Sequence, residues 1–303
     1  MMRRWTGALA LFALACGGPS PAVEDGGHRH DAAQHDAGPP VERGPAVLAI
    51  EGDANGLFWD TSSGSLLVAD DDGNRIVRWR DEGGFSLVSE LPAGTDEGAG
   101  LGQLVRTSDG AIVVTRFGFG TRGDVAVVPP EGAPYVVPGL DPMRRRIGLT
   151  LAPDGRLFDS WFVRVASGDR VGAVGALSLD GTETEAITGL QKPVGVLAMG
   201  DSLYVTDQDL GEVLRAPLTD LSSFVVHAEI DQPDLLAAGP GGSLFTGGLG
   251  GVVYQVGADG AVAIVGTGFS AVRGVAYDAQ NRRLFVAEHD ADEEHAIHIL
   301  PID

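Results

Sequence analysis

One short pattern recurs six times in this chain: a small or polar residue, an aliphatic, an aliphatic or aromatic, then Val-Ala-Asp or a variant of it. The copies run from Ser65 to Asp70 (SLLVAD), Ala111 to Arg116 (AIVVTR), Arg156 to Trp161 (RLFDSW), Ser202 to Asp207 (SLYVTD), Ser243 to Gly248 (SLFTGG) and Arg283 to Glu288 (RLFVAE). Their second residues are 46, 45, 46, 41 and 40 positions apart, the length of a four-stranded blade. Each copy follows a short apolar strand and a turn, such as GLTLAPDG, and precedes a third strand, such as Arg75 to Trp79. Strands of about five residues between Gly, Asp, Pro and Asn turn signals, with no long helical period, define an all-β chain. The 45 glycines then serve turns and close packing.

The last copy has three visible strands, Arg273 to Asp278, Arg283 to Glu288 and Ala296 to Ile299, and an unpaired apolar strand, Ala46 to Ile50, stands near the front. The pattern therefore predicts a six-bladed β-propeller over residues 46–303 whose N-terminal strand completes the last blade. Closure matters because a blade cannot bury both its faces alone. A β-sandwich would not require six similar copies.

Within blade one, Asp70 is followed by Asn74, Arg75, Ile76, Val77 and Arg78, which resembles the NHL repeat. The six copies together are similar to the propeller group that holds the NHL proteins and the gluconolactonase, or senescence-marker, family. That resemblance implies fold more than activity, since such propellers host hydrolases, lyases and binding proteins. The lactonase branch implies a divalent metal in the central channel, held by a Glu in blade one, Asn residues in the middle blades and an Asp in a Pro-Asp-Gly segment. Here the matching places hold Asn55, Ile147, Val194 and Asp234, the last in Pro233-Asp234-Leu235. Only Asp234 is a charged oxygen ligand, and Arg273 on the next blade is expected to pair with it. Asn55, Asp234 and Arg273 come from blades one, five and six and are the expected ligand-binding patch at the mouth.

Two other constellations stand out. Asp70, Asp72 and Asn74 occupy the first, third and fifth places of a calcium loop, although Arg75 replaces the glycine the turn requires and the flanks read as strands. Calcium or another divalent ion is the cofactor this loop would take. The run Arg144-Arg145-Arg146 enters blade three and, with Arg116 and Arg122, forms a basic sector on a face that gathers Asp53, Asp70 to Asp72, Asp96, Glu97, Asp141, Asp207, Asp209, Asp231 and the stretch 288–294. The arginine run is the expected contact for a carboxylate or phosphate. His295 and His298, three apart on a strand, point to opposite faces. No zinc set assembles by spacing from His227, His289, His295 and His298, and His289 is the one candidate base. Nucleophile-elbow, zincin and phosphate-loop motifs do not occur.

The chain opens Met1-Met2-Arg3-Arg4, continues apolar to Ala15 and reaches its only cysteine at Cys16. This reads as a secretory signal over residues 1–15, with Ala13-Leu14-Ala15-Cys16 similar to a bacterial lipobox. A lone cysteine excludes an internal disulfide. Residues 16–45, poor in apolar side chains and carrying His28, His30, His35, Asp31 and Asp36, read as a tether. The net charge of −21 falls to about −23 without Arg3 and Arg4, a surface that repels nucleic acid and anionic lipid. The expected protein is a monomeric outer-membrane lipoprotein of the bacterial cell envelope, touching membrane only through its lipid. It is expected to act as a binding module for an envelope or extracellular protein or small ligand. The alternative is a divalent-metal hydrolase of lactones or esters.

Overall fold

The computed structural model describes residues 41–42, 48–93, 100–289 and 295–302. Cys16, Asp96, Glu97 and positions 290–294 lie outside them, as does the tether apart from Val41–Glu42. Six antiparallel sheets follow one another along the chain, each with its first strand innermost. The innermost strands are Ala54–Asp60, Leu101–Arg106, Arg145–Leu151, Pro193–Met199, Pro233–Ala238 and Val272–Asp278. Each packs on the next, and Val272–Asp278 packs on Ala54–Asp60, so the ring is closed.

Closure at the sheet level occurs as the repeat count requires. Leu48–Ala49 pairs antiparallel with Ala296–Pro301, Leu48 opposite Ile297, and supplies the outermost strand of blade six. A second early segment behaves differently from the expected tether. Val41–Glu42 lies parallel to Gly266–Thr267 on the outer strand of blade five. Parallel addition to an open sheet edge needs only backbone groups.

The core is divided into wedges between blades. Leu67, Ala69 and Ile76 of blade one meet Leu101, Leu104 and Val114 of blade two. Equivalent clusters join every other pair of neighbours, and at the closing joint Trp59 stacks on Phe285 with ring centroids 5.4 Å apart. The strands are continuous apolar runs because both faces of each sheet are covered. The fifth position of the repeat adds a polar latch between blades two to five. The hydroxyls of Thr115, Ser160 and Thr206 donate to the carbonyls of Ile147, Val194 and Asp234 on the next innermost strand.

Candidate functional site at the channel mouth

The same irregularity interrupts all six innermost strands. Register shifts fall between Ala54 and Leu57, Leu101 and Leu104, Arg146 and Leu149, Pro193 and Val196, Pro233 and Leu236, and Val272 and Val275. A bulge leaves residues unpaired and re-aims a side chain. Glycine occupies one of the two bulged places in five blades because the next blade's backbone passes there. A Cβ on Gly274 would stand 2.1 Å from the Asn55 carbonyl oxygen, and one on Gly56 2.1 Å from that of Gly102.

Asn55, Ile147, Val194, Asp234 and Arg273 at these bulges line a cavity of about 380 Å³ at the mouth of the channel. Beyond the bulges the channel turns apolar, lined by Leu57, Val105, Leu149, Val196, Leu236 and Val275. Gln103, Arg106 and Thr150 also line that part, but the carboxylates gather at the mouth, whose volume is within the size range of a small-molecule site.

The expected patch of Asn55, Asp234 and Arg273 does share this cavity, but its members are engaged with the protein. Asn55 Nδ2 donates to the Leu101 carbonyl at 2.7 Å. Asp234 is buried, with Arg273 Nη1 3.5 Å and Gln208 Nε2 3.3 Å from Oδ2. Burial pushes its carboxyl up, opposed by Arg273 and Lys192. With Ile147 and Val194 completing the ring, the channel ligands implied by the lactonase resemblance do not assemble here.

A different group does. Asp53, on the connection into blade one, meets His289, which follows the second strand of blade six, and His295, which precedes the third. His289 Nδ1 is 3.1 Å from Asp53 Oδ2 and His295 Nδ1 3.5 Å from Oδ1. The two imidazoles stack with centroids 4.7 Å apart, and one ligand atom from each of the three residues fits within 4.8 Å. The His295 side chain is 10% exposed, and its Nδ1 is buried without a hydrogen bond. Ligand atoms around a tetrahedral ion with bonds of about 2.1 Å stand roughly 3.4 Å apart, close to both Asp–His separations. Two imidazoles and a carboxylate suit zinc or a neighbouring transition metal better than calcium, which takes oxygen ligands.

Strand spacing alone missed this group, because the three residues meet across a hairpin and the ring-closing joint. Its signal is a histidine at each end of one hairpin, His289 and His295. Asp71 lines the same side, accepting from the Leu101 N–H at 2.9 Å. Burial pushes its carboxyl up to about 6 against that hydrogen bond, and Asp53 adds to the rise.

Blades three and four form the opposite wall, where Arg145, Arg164, Arg170 and Lys192 line the cavity with Phe117 and Phe162. The strands Leu157–Arg164 and Arg170–Leu177 of blade three are longer than their counterparts and carry Arg164 and Arg170 as a facing pair at their tip.

The arginine run does not form one contact surface. Strand alternation separates its members. Arg145 faces the cavity, whereas Arg146 is fully buried on Asp159 and Glu183, with Glu183 bonds of 2.9 and 2.8 Å. Arg144 lies 3.7 Å over the Trp161 ring and bonds Glu183 and Glu185. Arg116 is likewise interior, in a two-bond pair with Asp124.

The loop Asp70, Asp72 and Asn74 does not converge as calcium ligands. Asp70 is buried and accepts from Asp53 N, Gly73 N and Arg75 Nε, the last at 2.6 Å. Asn74 is spent on Leu91, Pro92 and Arg116, while Asp72 is exposed. The sixth position of the repeat is thus a structural cap, as in blade four, where Asp207 accepts from Gln191 N and Lys192 N.

The six-bladed propeller fold is shared with solved structures of gluconolactonase type. A gluconolactonase from Xanthomonas campestris superposes with a TM-score of 0.67 at 20% identity, covering 85% of this chain and 88% of that one. Regucalcin from Agrobacterium tumefaciens, a calcium-binding protein, gives 0.64 at 16% identity, covering 82% and 90%. Virginiamycin B lyase from Staphylococcus aureus gives 0.58 at 14%, covering 85% and 98%. What is shared at such identity is the fold. No protein-family model matches the sequence, and no curated protein matches it.

Proposed function

We propose that this protein is a divalent-metal-dependent hydrolase of lactones or esters, working at the channel mouth through Asp53, His289 and His295. The observation that carries the reading is the convergence of these three side chains beside the polar cavity that Asp53 and His289 line, with a buried His295 ring nitrogen against the cluster. Propellers that share the fold include a gluconolactonase, which supports the reaction class.

A bound divalent ion would polarise the acyl carbonyl and lower the pKa of water. The chain's own residues do the rest. Asp53 bonds the His289 imidazole and lies 3.5 Å from that of His295, so the three donors already stand together before any ion arrives. The largely apolar channel beyond the mouth receives uncharged parts of a substrate. Carriage to the envelope on a lipid at Cys16 belongs to the same proposal.

The test uses the full chain. After incubation with zinc, manganese or calcium and desalting, elemental analysis is expected to give one transition-metal ion per chain. His295→Ala and Asp53→Ala are expected to lose the ion and the accompanying rise in melting temperature, whereas Asp234→Asn keeps both. Proton release from glucono-1,5-lactone, followed by pH-stat, should disappear in the first two variants. A protein that retains no transition metal, or one that holds calcium instead, would overturn the assignment.

A further inference from the structure

The chain carries a net charge of −21, yet the cavity at the channel mouth is lined by five cationic side chains and three carboxylates. The cations are Arg145, Arg164, Arg170, Lys192 and Arg273; the carboxylates are Asp53, Asp71 and Asp234, with His289 beside Asp53. Their distribution is polar as well as unequal. Four of the cations stand on blades three and four, diametrically across a six-membered ring from the Asp53–His289 side on blades six and one.

Three of the cations converge on one ring. Arg145, Arg170 and Lys192 place their charged groups 5.3, 5.9 and 5.9 Å from the centroid of Phe162, whose side chain is buried at the base of the wall. Phe117 flanks Arg145 from the other side at 5.4 Å. Aromatic faces stabilise such groups modestly and hold them in place. The internal counter-charges are incomplete. Arg170 pairs with Asp209, Lys192 bonds the neutral amide of Gln208, and Arg164 has no carboxylate partner among the described residues. Burial and then the charges of Arg164 and Arg170 lower the Arg145 pKa. Burial followed by Arg170 lowers that of Lys192, with Asp234 and Asp209 opposing. Like charges crowded on one wall at an electrostatic cost are the expected state of a site that an anion completes.

We propose that the Phe162-centred wall of Arg145, Arg164, Arg170 and Lys192 is an anion clamp, which takes a carboxylate or phosphate group of a small polar molecule. As a statement about substrate this rests on the hydrolase reading: the substrate carries its anionic group at one end, on blades three and four, and its acyl carbon at the other, beside Asp53 and the two histidines. As a binding site the clamp needs no metal. A neutral lactone would leave the wall unsatisfied and is therefore a poorer ligand than one bearing an acid.

The experiment is calorimetric titration of the full chain with glucarate, gluconate, glucose 6-phosphate and sorbitol, at low and high sodium chloride. Glucarate or glucose 6-phosphate binding, weakened by salt, with sorbitol silent, is the expected result, and the tighter of the two identifies the anionic group. Arg164→Ala, which removes an exposed side chain, and Arg145→Ala should each weaken binding by about tenfold, while Arg144→Ala leaves it unchanged. His295→Ala separates the two proposals: anion binding that persists in it supports the clamp even where metal binding has failed. Equal binding of sorbitol and glucarate, or wild-type affinity in both Arg145→Ala and Arg164→Ala, overturns the inference.

Discussion

Replacing Arg146 with methionine removes the cation from a buried cluster and leaves Asp159, fully inaccessible, beside Glu183, 8% exposed. Methionine fills much of the volume, so the cost is electrostatic. Burial pushes the Asp159 carboxyl up, and Arg146 is what holds Glu183 below its ordinary range. Breaking such a pair from one side typically costs 3–5 kcal/mol, of the order of 10 °C in melting temperature for a domain of this size. The deficit should also depend on pH. Without Arg146 the carboxylate pair holds protons in the native state that the unfolded chain has released, so stability falls as pH rises above about 4. Each extra proton is worth about 1.4 kcal/mol per pH unit, so a deficit that opens at about pH 4 should be roughly a third as large at pH 5 as at pH 7. Urea unfolding followed by tryptophan fluorescence at both pH values measures this. The neighbouring Arg144→Ala removes partly exposed ion pairs and should cost about 1 kcal/mol or less, with little pH dependence. A variant R146M within 1 kcal/mol of wild type, or R144A as costly as R146M, would refute the placing of Arg146 at the buried centre of this cluster and Arg144 at its partly exposed rim.

Two further perturbations test the ring and its inter-blade contacts. Gly274→Ala drives a Cβ against the Asn55 carbonyl oxygen at 2.1 Å and the Leu57 nitrogen at 3.1 Å, so the joint between blades six and one should lose about 1–3 kcal/mol in urea unfolding. Gly250→Ala, with nothing within 4 Å of its Cβ, is the matched control and should be near neutral. Asp60 bridges to Arg106 on blade two at 2.5 Å; burial alone would raise its carboxyl, but Ser62, Ser63 and Arg106 hold it at about 2. Its contribution, about 1–2 kcal/mol after allowance for the partly exposed arginine, is complete above pH 4 and lost as pH falls through 2. The gap between wild type and Asp60→Asn should narrow over that window, and a constant gap would show that the depressed carboxyl is not the cause.

The repeat spacing carried the architecture because each blade is one local unit, and six units of 40–46 residues allow few other closed arrangements. The strand at Leu48–Ala49 was legible for the same reason: a last blade one strand short requires it. The mouth positions could also be read, since Asn55, Ile147, Val194, Asp234 and Arg273, at the openings of five of the six innermost strands, all line it. What those residues do there was less legible, since Asn55 and Asp234 turned out to be satisfied by neighbouring protein groups.

Tertiary structure alone decided the chemistry. Three consecutive arginines look like one patch in sequence, but strand alternation sends Arg145 to the cavity and Arg146 into the core. Asp70 looks like a calcium ligand until its oxygens are found on Asp53, Gly73 and Arg75. Asp53, His289 and His295 have no common period, and they meet because ring closure brings the first and last blades together. Likewise, Arg145, Arg170 and Lys192 belong to separate strands and converge only on the ring of Phe162. Sequence pattern reports burial and backbone geometry, which are local and periodic. A site is made of side chains far apart in the chain, and only the closed ring fixes which of them share its mouth.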